Sequence, residues 1–277
     1  MRCLVSYKLL LALCFLNLPL IVSYFITGIL TISPISYTAF ILESCGTIVV
    51  SCYMSYCTFT AILALNRFIN WISPYFNDIF FSSFALMIWF VVGLAPAAIQ
   101  FIVLSSPTEG VSYSRTRFYW HYDKRFSDSI IAQRIEMFVE LTTTVTTVLI
   151  YIAFLLKMAK HKTMINKTKK PGDDNTQFHA NKMHSKTLIQ TIGISLLCFV
   201  LNISWHVITK RSTLFNATLT FVLILNSAVT PLATIWAVGT YRRRLTMRRR
   251  TMSTSTRDIF GLSTRHPNAN KSAVIKF

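Results

Sequence analysis

The chain has 277 residues, 53% of them hydrophobic and 14% charged, with a mean hydropathy of +0.49. That is too apolar and too sparsely charged for a soluble domain of this size, and only 8 glycines and 8 prolines argue against low complexity. A net charge of +18 would point to nucleic acid in a soluble protein, but here the basic residues flank apolar runs and no aromatic–basic RNA-binding motif accompanies them.

Six apolar runs are long enough to cross a bilayer as helices: Leu9–Ile29, Ile41–Leu65, Phe80–Leu104, Phe138–Leu156, Leu188–Ile208 and Leu214–Val238. They predict an all-α, polytopic transmembrane bundle that satisfies its backbone groups inside each helix. The transmembrane domain spans residues 1–241, and residues 242–277 form a basic tail of largely disordered composition.

The first run follows Arg2 and Lys8, which also suits a signal peptide. It continues to Leu30 without a small-x-small cleavage site, which favours a retained span. The second run carries Cys45-Gly46, then Tyr53 and Tyr56, and closes on Ala64-Leu65-Asn66-Arg67-Phe68. Tyr53 and Tyr56 are three apart and share a helix face. They either line a cavity or pack between helices, and packing is the simpler reading. Pro74-Tyr75 and Ile79-Phe80 follow. The loop from Ser105 to Arg134 is aromatic at Phe118, Tyr119 and Trp120 and contains no cysteine.

The fourth run holds Glu140 followed by five threonines between Thr142 and Thr147. A carboxylate inside a span is costly and often functional, so Glu140 is a candidate ligand-facing group. The simpler expectation is a solvated residue near the outer boundary, with threonines bonding back to their own helix. Residues 158–186, with Pro171-Gly172-Asp173-Asp174, read as a flexible basic loop. Trp205 and His206 near the end of the fifth run suit either a ligand pocket or an interfacial aromatic belt. The last run has Asn226 and Thr230-Pro231, a degenerate hinge at best.

Of the 28 lysines and arginines, 21 fall on segments that share a side with the amino terminus and 7 on the other. The positive-inside rule then makes both termini cytoplasmic. Of the sequons at Asn166, Asn202, Asn216 and Asn270, only Asn216 faces outward, close to the bilayer. The six cysteines form no CxxC pair, the histidines have no ligand spacing, and no catalytic motif is present. No enzyme activity, metal or cofactor is expected.

The order of these parts resembles a G-protein-coupled receptor. It is most similar to the serpentine chemoreceptors of nematodes, closest to the class x group, whose third helix ends in a similar alanine-x-asparagine-arginine-phenylalanine signature. The likeness covers most of the chain. It implies that Asn66, Arg67 and Phe68 couple to a heterotrimeric G protein and that a small molecule binds among the outer helix halves. Tyr53, Tyr56, Glu140, Trp205 and His206 are then the candidate ligand contacts. Asn66 stands where an acid often precedes the arginine, so no strong local ion pair holds Arg67.

Such receptors have seven helices and an outer amino terminus. Six spans and an inner terminus imply that the family's first helix is missing from this sequence. They also tie the third helix to the following outer loop by a disulfide. Cys45 could serve on the helix, but the loop has no cysteine, so a looser outer loop is expected. A truncated, non-signalling receptor held in the endoplasmic reticulum is the alternative to a receptor at the plasma membrane or cilium. A six-span transporter or channel would need paired broken helices or a filter loop, and neither is evident.

The tail has six arginines between Arg242 and Arg250, which should attract anionic lipid. Thr251, Ser253, Thr254, Ser255 and Thr256 follow as candidate phosphorylation sites, where added charge would weaken that attraction.

Overall fold

The computed structural model describes residues 2–32, 39–105, 111–114, 119–122, 127–168, 196–205, 212–229 and 231–232. The described elements are α1 (Arg2–Ile32), α2 (Ala39–Ile72), a short α3 (Pro74–Phe80), α4 (Ser83–Leu104), strands β1 (Val111–Ser114) and β2 (Tyr119–Tyr122), and α5 (Ser127–Thr168). Two shorter apolar helices follow, α6 (Leu196–Trp205) and α7 (Thr213–Val229). Helices α1, α2, α4 and α5 are long and apolar enough to cross a membrane. The expected polytopic helical bundle is therefore observed.

The helices outrun the apolar stretches that announced them. The second span is expected over 41–65, yet α2 covers 34 residues, about 50 Å at 1.5 Å each, against a hydrocarbon core of about 30 Å. Likewise α5 begins eleven residues before Phe138. Hydropathy marks the lipid-immersed length, whereas a helix continues wherever its backbone bonds are made. The third span starts at Ser83, not Phe80, because Phe80 closes α3 and Ser82 caps α4 by accepting from the Ala85 amide. Ser73 caps α3 in the same way, with Pro74 pre-shaped for the first turn.

The centre of the bundle is α2. Its apolar window is 72% buried, against 17–28% for α1, α4 and α5, so the outer three present Phe15, Phe25, Phe84, Ile102, Phe138 and Leu156 outward, as lipid-facing surface requires. Helix α4 approaches α2 closely at Gly93. Ser55 Oγ donates to the Gly93 carbonyl at 2.8 Å, and a Cβ at Gly93 would fall 2.5 Å from the Phe59 ring. Small residues permit such backbone contact where no water drives helices together.

Strands β1 and β2 form an antiparallel hairpin with Val111 opposite Tyr122 and Tyr113 opposite Trp120. The expected loose outer loop is corrected here. Trp120 lies against Gly46, where a Cβ would come within 2.6 Å of the ring. Thr31 at the end of α1 donates to the Tyr113 hydroxyl at 3.2 Å. Packing, in place of a disulfide, seats the hairpin on α1, α2 and α4, and Cys45 remains a buried thiol in the same cluster. The boundary at residue 241, the 171–174 turn and the entire tail lie outside the described residues.

Candidate functional site

Midway along α2, two tyrosines face the other helices. Tyr53 and Tyr56 stack with centroids 5.9 Å apart. The Tyr53 hydroxyl donates to Asn202 Oδ1 on α6 at 2.7 Å, and Asn202 Nδ2 donates to Thr144 on α5 at 2.8 Å. Asn202 thus joins three helices through one amide. Tyr56 Oη lies 3.9 Å from Cys198 Sγ, which also accepts from Asn226 of α7 at 3.3 Å. A cavity of about 10 Å³, at the lower limit for one water, is lined by Tyr56, Cys57, Thr60, Thr144, Thr147 and Cys198. Both tyrosines therefore pack between helices, and Tyr56 also lines this small cavity.

Closer to the hairpin, Glu140 is only 1% exposed. This corrects the expectation of a solvated boundary residue, because α5 starts at Ser127 and carries Glu140 more than three turns inward. Thr143 and Thr147 do bond back to their own helix, to Val139 and Thr143 carbonyls at 2.7 Å, while Thr144 crosses to Asn202. One turn before Glu140 lies Glu136, also buried. The Tyr122 hydroxyl donates to Glu136 and accepts from Gln100 Nε2 at 3.0 Å. Burial, with the Glu136 charge beside it, pushes the Tyr122 phenol well above its usual pKa, so it remains a donor across the physiological range. Tyr24 of α1 lies within electrostatic reach of both acids.

At the opposite end, Asn66 is buried. Its Oδ1 accepts from Ser6 of α1 at 2.7 Å and its Nδ2 donates to Asn77 of α3 at 3.0 Å. Asn66 is therefore a three-element tie. Arg67 is half-buried beside it. Phe68 turns toward α5, joining Trp71, Tyr151 and Phe154 in one cluster. Asn66 and Phe68 thus point to different surroundings. Trp205 is half-buried at the end of α6, and His206 and Thr251–Thr256 lie outside the described residues. Asn202 and Asn216 are buried, which removes both sequons as glycan sites.

Residues 1–229 match the family described as serpentine type 7TM GPCR chemoreceptor Srt. The chain belongs to this family. No curated protein matches it. The Srt family is a receptor family, and the serpentine chemoreceptor resemblance stands, with Srt as the matched group.

Several polar residues that organise this Srt receptor were absent from the sequence candidates. Asn202 hides as a sequon, Glu136 falls outside the apolar run, and Ser6, Asn77, Gln100 and Tyr122 carry no motif. The one available signal was spacing: Glu136 and Glu140 are four apart, the interval that aligns two side chains on a helix.

Proposed function

We propose that this chain is a chemosensory receptor that binds a small organic molecule between the outer halves of its helices and signals through a heterotrimeric G protein at the Arg67 end. The Srt match over residues 1–229 carries this reading. The buried polar layer that joins α2, α5 and α6 through Asn202 supports it, because a ligand acts only through its differential affinity for two arrangements of such a layer. Arg67 lies beside the Ser6–Asn66–Asn77 tie, where a shift of α1 or α3 would alter its surroundings.

The test is ligand-stimulated nucleotide exchange on a G protein in membranes from cells expressing the full chain. Arg67→Ala is expected to reduce stimulated exchange at least tenfold with surface labelling unchanged. Unaltered exchange in that variant would remove Arg67 from the coupling site. The basic tail belongs to the same proposal as a lipid-binding segment. A peptide covering residues 241–260 is expected to bind phosphatidylserine vesicles, each nearby arginine contributing about 1 kcal/mol. Phosphorylation at Thr251, Ser253, Thr254, Ser255 and Thr256 should weaken binding at least tenfold, and equal binding of both peptides argues against the idea.

A further inference from the structure

Glu136 and Glu140 stand one turn apart on α5, both buried in a membrane domain. Acids so placed are expensive and mark sites where something is bound or moved. The side chains around them come from every neighbouring element. Tyr24 of α1 and Tyr122 of β2 lie in electrostatic range of both, and Tyr53 and Cys57 of α2 and Cys198 of α6 in range of Glu140. The phenols and thiols can donate; the carboxylates accept.

A second observation comes from α4. Gln100 is 1% exposed. Its Nε2 donates to the Tyr122 hydroxyl that in turn donates to Glu136. The oxygen of the same amide, Oε1, has no hydrogen-bond partner among the described residues. Because Oε1 and Nε2 share one carbon, that open acceptor lies next to the Tyr122–Glu136 pair. A buried acceptor without a donor costs about 1–3 kcal/mol, which a ligand N–H would recover. Two acids and an amide oxygen make an acceptor-rich buried cluster. It repels an anion and gives a neutral alcohol no charge partner; an organic cation with several N–H groups complements it.

Apolar surface is close by. Ile135 and Val139, each one residue before an acid, line a crevice of about 280 Å³ between α4 and α5, together with Met54, Pro96 and Ile99. We propose that the ligand of this receptor is a small alkylammonium ion, its N–H groups shared among Glu136, Glu140 and Gln100 Oε1, its hydrocarbon on the α4–α5 apolar surface. This rests on the receptor reading for its biological sense, but the binding chemistry is separable from signalling.

The experiment uses the full chain in nanodiscs and reads tryptophan fluorescence and thermal melting against butyl-, hexyl- and octylammonium, with the matching alcohols and carboxylates as comparison. Saturable binding of at least one ammonium, at least tenfold tighter than its alcohol, is expected. Glu136→Gln and Glu140→Gln should each weaken it at least tenfold, whereas Thr142→Val, on an exposed position of the same helix, should not. Should a Gln variant fail to fold, the ammonium-to-alcohol ratio on the native chain decides. Equal affinity for ammonium and alcohol, or no saturable ammonium binding, overturns the proposal. Ammonium binding without nucleotide exchange supports the site and counts against the coupling reading. Activation by a neutral odorant with no ammonium binding does the reverse.

Discussion

Asn202→Leu is expected to destabilise the purified chain by about 2–4 kcal/mol, the larger part of it from orphaned partners. The substitution deletes the 2.7 Å bond from Tyr53 and the 2.8 Å bond to Thr144. Interhelical hydrogen bonds in membranes are worth about 0.6 kcal/mol each on average, rarely above about 1.7. A buried hydroxyl left without its acceptor adds about 1–3 kcal/mol. Thermal unfolding in detergent should show a midpoint lower by about 5–10 °C, on the scale of about 2–4 °C per kcal/mol for a chain of this size. Thr142→Val on the exposed face should leave the midpoint within about 1 °C, as surface changes usually do. An Asn202→Leu midpoint equal to that of the native chain would mean that the amide is not holding α2, α5 and α6 together.

Gly46→Val is expected to lift the hairpin from α2. Even the first carbon of a side chain would meet Trp120 Cε3 at 2.6 Å, Cζ3 at 2.7 Å and Val111 Cγ1 at 3.0 Å, and all of these belong to a buried cluster with Cys45 and Ala132. Overpacking of this kind costs about 1–3 kcal/mol, and the hairpin is the element free to yield. Limited proteolysis between Ser105 and Ser127 should become at least tenfold faster. Gly46→Val combined with Trp120→Ala should restore much of the protection, because the ring that clashes is gone. Proteolysis unchanged by Gly46→Val would show that the hairpin is held elsewhere.

How much of this was legible depends on the residue. The spans were, because lipid demands apolar surface: three of the runs lie within helices long enough to cross, and a fourth overlaps one from Ser83 onward. That Asn66-Arg67-Phe68 closes the second run was legible from the sequence. Its geometry was not: that Asn66 reaches back to Ser6, sixty residues earlier, is a tertiary fact with no local trace. Glu136 escaped because Gln133, Arg134 and Glu136 lower the hydropathy of the opening turns of α5, although the helix passes through them. The hairpin escaped because VSYS and YWHY are four-residue strands without a turn signature between them. Asn202 looked like a glycan acceptor, since a sequon is a local pattern and burial is not.

Many of the contacts between the described helices meet at α2: hydrogen bonds to α1 and α3 at Asn66, to α4 at Ser55 and to α6 at Tyr53, and the apolar Phe68 cluster with α5. In the proposed receptor, a rod fastened on so many sides is expected to be the stationary member. Displacement between its states is then expected as the neighbours swinging about it. Paired spin labels on α1 and α5 would report that travel, while a label on α2 would serve as the fixed axis from which it is measured.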